Sequence, residues 1–248
     1  MNNTKGVTLV ELMIALALST ILGIALVQLY AKQKVTATEL SRENRLNQEL
    51  RFANQELKRW LSLIGYSALP QNSRALAFPA LAATTNCPAM PAGVVITADL
   101  AKSAATPGIC IRFQRTFNEQ RDCLGSSITT ASVVNRLFLD PANFQIKCTS
   151  QDQTGVIAEN ISDLNFLFLL SDTSNKHITQ KISISNIASA DYSRIKAIEI
   201  ALLGRSANSH PSAPDYNFPP DTETKITPPD KHYYSSTSTT FSLNNVSL

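Results

Sequence analysis

From Val7 to Ala31 the chain runs for 25 residues past a single charge, Glu11, and nothing else in the sequence constrains it more. As a helix rising about 1.5 Å per residue, this run is roughly 37 Å long, enough to cross a hydrocarbon core of about 30 Å. Thr8, Ser19, Thr20 and Gln28 are its other polar side chains. Gly23 is tolerated there, because lipid enforces the internal hydrogen bonds of a helix. A membrane-inserted N-terminal helix is the first expectation.

Glu11 is out of place in such a span. A carboxylate at mid-membrane costs about 2.5–3.5 kcal/mol on insertion scales, so it normally has a partner. The alternative is a side chain that is merely interfacial, or protonated, at the helix start. What precedes it is short: Met1-Asn-Asn-Thr-Lys5-Gly6, then Val7-Thr8-Leu9-Val10-Glu11. An ordinary signal peptide needs a small-residue cleavage site, and the competing place for one is near Tyr30-Ala31.

The string Lys5-Gly6-Val7-Thr8-Leu9-Val10-Glu11-Leu12 resembles the class III signal of type IV pilins. That resemblance implies a prepilin peptidase that cuts between Gly6 and Val7 and methylates the new amine. The apolar run then stays as the start of the mature helix, with Glu11 as its fifth residue. It also implies that Glu11 pairs with the cationic amine of a neighbouring subunit, in surroundings whose low dielectric strengthens the attraction. Val7 departs from the pattern, which usually has Phe or Met there.

Beyond the apolar run, Leu46, Leu50, Ala53, Leu57, Trp60, Leu61 and Ile64 fall on one helical stripe. Arg42, Glu43, Arg45, Gln48, Glu49, Arg51, Gln55, Glu56 and Arg59 fill the opposite face. The stripe is read as the seam that docks the helix on a globular body; a coiled coil is the other reading, but the regular stretch is under three heptads. Gly65 supplies a left-handed cap and Pro70 forbids continuation. All 12 prolines lie from Pro70 onward, so the body is expected to be loop-punctuated and rich in strands.

Residues 67–107 read as a long loop. Strands are expected at 109–115, 133–139, 144–147, 161–170, 180–187, 195–203 and 238–246. Several alternate apolar with polar residues, as suits an antiparallel sheet with one solvated face. Four cysteines, at 87, 110, 123 and 148, have no Cys-x-x-Cys spacing and no nearby His, which argues against zinc or a redox dithiol. An even count after an export segment reads as two disulfides in an oxidising periplasm. Three connectivities are open, and the sequential one, Cys87–Cys110 with Cys123–Cys148, is favoured because each bridge closes a local loop around a strand.

Within the body, Arg121-Asp-Cys-Leu-Gly125, Val134-Asn-Arg-Leu-Phe138 and Phe144-Gln-Ile-Lys-Cys148 resemble the PilW-type minor pilins. So do Ile161-Ser-Asp-Leu-Asn-Phe166 and the run Arg194–Arg205, while Trp60–Tyr66 and Phe241–Asn245 match only in part. The resemblance implies an α+β, type IV pilin-like fold: a long N-terminal helix, transmembrane and then amphipathic, packed on an antiparallel β-sheet with long disulfide-stapled loops. Its divisions would be a leader (1–6), a transmembrane half-helix (7–31), an amphipathic half (32–65) and a periplasmic β-rich domain (66–248). The implied role is assembly: priming the tip of a pilus with other minor pilins, the major pilin, the prepilin peptidase and the inner-membrane assembly platform. The protein would sit in the bacterial inner membrane by one helix and pass to the pilus tip at the cell surface. A J-type minor pseudopilin of type II secretion, and a periplasmic binding or adhesive module on an uncleaved signal anchor, are the competing readings.

The residues support no enzyme and no cofactor. There is no Gly-x-Ser-x-Gly elbow, the eight glycines do not cluster into a phosphate loop, and His177, His210 and His232 are scattered. Asp215, Asp221, Glu223 and Asp230 lack the alternation of a calcium loop, so no metal is expected. A net charge of +3 is too slight for nucleic-acid coating. The one candidate patch for nucleic acid is Arg112, Arg115 and Arg121 beside Phe113 and Phe117, more simply read as a solvated sheet edge. The Pro-rich stretch 210–231 reads as a surface hairpin, or as a contact surface for another tip subunit.

Overall fold

A computed structural model describes residues 8–69, 72–100, 108–115, 117, 119–172, 177–209 and 213–246. They fall into two units, one ending at Arg45 and a body that begins at Leu46.

Helix α1 (Leu9–Leu61) belongs to both units. In the first unit every residue from 8 to 38 is exposed. Its most apolar 18-residue window has a mean hydropathy of 2.4, and none of it is buried. By length and composition this part of α1 is able to cross a membrane. In the body, α1 buries the predicted stripe: Leu46, Leu50, Ala53, Leu57, Trp60, Leu61 and the following Ile64 are all at most 3% exposed.

The helix ends earlier than the glycine implies. Ser62 N–H still donates to Lys58 O, but Leu63 and Ile64 tighten to Trp60 O and Leu61 O. Gly65, at φ +72°, then turns the chain so that its N–H donates to Arg112 O at 3.0 Å. Strand pairing captures the chain four residues after the last helical turn. The 67–107 loop is less bare than expected, since it holds α2 (Arg74–Ala77) and β1 (Ile96–Asp99).

Two antiparallel sheets form where one was expected. The first is a meander in sequence order: β1, β2 (Gly108–Gln114), β3 (Ser132–Asp140), β4 (Gln145–Ser150) and β5 (Gln153–Glu159). The second contains β6 (Ile161–Ser171), β7 (Ile178–Ser183), β8 (Ile195–Ser209) and β11 (His232–Ser242), in the order β11-β8-β6-β7. Between β8 and β11, β9 (Tyr216–Asn217) and β10 (Lys225–Ile226) pair as a small hairpin. One core joins the inner faces of both sheets to the buried side of α1.

Four boundaries depart from the sequence pattern. The pattern contains no signal for β5, whose residues are mostly exposed and which exists because β4 pairs with it. Strand β7 stops at Ser183 and passes into a 3₁₀ turn at Ile184–Asn186. Strand β8 extends to Ser209 rather than ending near Leu203. That longer partner sets β11, which spans 232–242 instead of 238–246, because a Ser/Thr tract has no apolar alternation of its own to fix a register.

The disulfides are Cys87–Cys110 and Cys123–Cys148. They staple opposite faces of the first sheet. Cys148 lies in the main core, whereas Cys110 sits with Cys87 and Met90 in a separate cluster under the 79–95 loop. The described part of the Pro-rich stretch is anchored to the second sheet. Arg205 Nε and Nη2 donate to Asp230 Oδ2 at 3.0 and 2.8 Å, and the Tyr216 and Tyr234 rings stack with centroids 4.7 Å apart.

Candidate assembly site on the N-terminal helix

Thr8 is the residue just before the helix, and Glu11 is the third residue inside it. Their spacing makes a capping box. Thr8 N–H donates to Glu11 Oε2 at 3.0 Å, and the Thr8 hydroxyl donates to the same oxygen at 3.2 Å. In return Glu11 N–H donates to Thr8 Oγ1 at 3.3 Å. These bonds satisfy main-chain groups that a helix start leaves open, and the carboxylate meets the positive end of the helix dipole.

The neighbouring polar side chains are consumed by the helix itself. Ser19 Oγ donates to Leu16 O at 2.9 Å and Thr20 Oγ1 to Ala17 O at 2.8 Å. Between residues 8 and 31 Glu11 is left as the one ionic group among exposed Leu, Ile, Val and Met side chains. The arrangement is a positioned anion on an apolar rod, able to attract one cation and unable to carry out bond chemistry alone.

The other residues singled out in the sequence are placed as follows. Gly6 and Val7 lie outside the described residues. The four cysteines form the two bridges already described. The Arg/Phe patch does not exist as a surface. Phe113 is fully buried, and Arg112, 4% exposed, donates to Pro79 O and Ser132 Oγ. Arg115 and Arg121 donate to Ile128 O and Gly125 O, and Phe117 is exposed. Of the acidic candidates, Asp230 is bound to Arg205 and Asp221 lies 3.8 Å from Lys181. Among the described residues, no three His, Cys, Asp or Glu converge on a metal position.

Three carboxylates have shifted pKa values for structural reasons, and desolvation raises one of them, Asp163. Asp140 falls to about 2, held down first by the Asn143 amide and then by Lys147 Nζ at 2.5 Å. Burial pushes Asp230 up, but the Arg205 guanidinium and the His232 N–H together outweigh it and leave the group below the usual range. Thr8 is the residue that the sequence reasoning passed over. Its signal was legible, because Thr-x-x-Glu ahead of an apolar run is the capping-box spacing.

Residues 129–245 match the family described as type IV pilus-assembly protein W, and residues 1–27 match the prokaryotic N-terminal methylation motif. Among solved structures, a type IV-like pilin from Thermus thermophilus aligns with a TM-score of 0.43 at 13% identity, over 82% of this chain and 98% of that one. No curated protein matches the chain.

Proposed function

We propose that the chain, with an N-terminal methylation motif joined to a PilW-type body, is a type IV pilin of the PilW-type minor branch and primes filament assembly as a subunit of the pilus tip. Prepilin peptidase cuts between Gly6 and Val7 and methylates the Val7 amine. The apolar part of α1 waits in the inner membrane with the disulfide-stapled body in the periplasm. Sibling minor pilins, the major pilin and the assembly platform are its partners.

Pairing drives the association. A methylated amine keeps its positive charge, and in hydrocarbon its attraction to a carboxylate is several-fold stronger than in water. Glu11 of one subunit and the Val7 amine of the next each lower the cost of holding the other in lipid. Leu, Ile and Val side chains around the helix then pack as the rods leave the bilayer for the filament core. No residue of the chain needs to catalyse anything.

The observation that carries this reading is Glu11 itself, a lone ionic side chain on an exposed apolar helix, five residues after Gly6. Mass spectrometry of the N-terminal peptide from the membrane-bound protein tests it. N-methyl-Val7 is the expected terminus. A chain that retains Met1, or one that begins near Ala31, overturns the reading.

A further inference from the structure

Between Glu11 and Glu39 the only charged side chains are Lys32 and Lys34. No acidic residue lies within four positions of either, so α1 offers neither of them an i,i+4 ion pair. Both are exposed, as is every residue from 8 to 38. Further along, the signs mix through Glu39, Arg42, Glu43 and Arg45, so the unbalanced positive charge is restricted to residues 32–34.

The apolar run sets where these lysines stand. Residues 12–31 carry no charge, and as a helix of about 30 Å they match one hydrocarbon core. With that stretch in the core, Lys32 and Lys34 fall in the next turn, at the level of the headgroups. Their apolar stems let the ammonium groups reach outward from the hydrocarbon. Tyr30, exposed and four residues before Lys34 on the same side of the helix, brings an interfacial aromatic ring to this end of the span.

We propose that Lys32 and Lys34 form a binding site for acidic phospholipid, each ammonium taking the phosphate of a headgroup on its own side of α1. The proposal rests on the membrane anchoring described under the proposed function, which places this end of the span in the periplasmic leaflet. Two steps along an α-helix turn it by about 200°, so the lysines face nearly opposite ways. A carboxylate on one neighbouring helix reaches one of them, whereas lipid surrounds the helix and reaches both. Orientation does not account for them. The excess of Lys and Arg that directs a span belongs on the side that is not exported, and these two stand on the other. Removal of the leader takes Lys5 away, which leaves Lys32 and Lys34 as the side-chain cations nearest the span. Phosphate contact there holds α1 at one depth while it waits for its partners.

The test places the full chain in vesicles of equal parts phosphatidylglycerol and phosphatidylcholine, releases it in mild detergent, and reads the retained lipids by native mass spectrometry. Retention of phosphatidylglycerol over phosphatidylcholine by about fivefold or more is expected, since one lysine at a charged surface already supplies about that factor. Lys32→Gln with Lys34→Gln is expected to bring the ratio to about one without changing the melting of the body, and Lys32→Arg with Lys34→Arg to keep the preference. Equal retention by the parent, or an undiminished preference in the double Gln variant, overturns the proposal and leaves the minor-pilin reading intact. A preference that disappears with Lys5→Gln instead assigns the lipid to the leader and likewise overturns it. A chain that alkaline carbonate strips from the vesicles overturns the membrane span, and with it both the proposal and the function on which it rests.

Discussion

Gly204 of β8 lies directly beneath Leu50 of α1. A Cβ on Gly204 would stand 3.0 Å from Leu50 Cγ and 2.9 Å from Leu46 Cδ1. The close seat of the helix on the second sheet thus depends on a missing side chain. Gly204→Val is expected to overpack this contact and to destabilise the body by about 1–3 kcal/mol. Thermal melting of the full chain in detergent, followed by Trp60 fluorescence, should shift down by several degrees. An unchanged melt would mean that the helix is seated elsewhere.

Glu11 has a local partner in Thr8, and under the proposed function a second one in a neighbouring subunit. Glu11→Ala should therefore leave membrane insertion and the melting of the body unchanged while reducing incorporation into pili. Glu11→Gln separates the two roles, because its amide oxygen still accepts the Thr8 N–H bond but carries no charge. Pilus counts by electron microscopy should fall with both variants. Parental numbers with Glu11→Ala would contradict the pairing.

Thr8→Ala removes the hydroxyl's two bonds of the cap, leaving the main-chain N–H of residue 8 on Glu11 and the charge untouched. Loss of an N-cap of this kind costs about 1 kcal/mol. The effect is confined to the first helical turn, so amide exchange at Val10 and Glu11 should accelerate roughly fivefold, with no change in the body.

Each disulfide closes a loop of similar length, with sequence separations of 23 and 25 residues. Chain-entropy arguments give about 3.5 kcal/mol for either closure. Replacing Cys123 and Cys148 together by Ala should lower the melting temperature by several degrees, and non-reducing peptide mapping of the parent should return two intrachain bridges. Four alkylatable thiols in periplasmic material would remove the basis for both statements.

Asp140 gives the protein a pH-dependent contribution at its β3–β4 turn. Its folded pKa is near 2, below the ordinary 3.8, because Asn143 and Lys147 favour the carboxylate. A depressed folded value stabilises above the unfolded pKa, and that stability is lost as pH falls through the folded one. The parent should melt above Asp140→Asn at pH 5 to 7. The gap should narrow between about pH 4 and pH 2 and vanish below that.

Sequence periodicity located the long elements because their side chains repeat with the geometry of the backbone. The stripe from Leu46 to Ile64 gave the buried face of α1, and alternation placed β2, β3, β6 and the first part of β8. It failed at β5, at β11 and at the end of β8, where polar or small residues pair because a neighbouring strand offers hydrogen bonds. The Arg112–Phe113 cluster failed for a related reason: composition suggested a surface, while strand alternation sends Phe113 into the core and the 79–95 loop covers Arg112.

Taken alone, the amino-acid order determined the apolar rod, its single acid, the docking stripe and the two-disulfide expectation, since each depends on spacing within one segment. Tertiary structure decided the division into two sheets, the faces on which the bridges lie and the capture of Gly65 by β2. Those features arise from hydrogen bonds and contacts between residues far apart in the chain, and no local pattern records which distant strand will supply the partner.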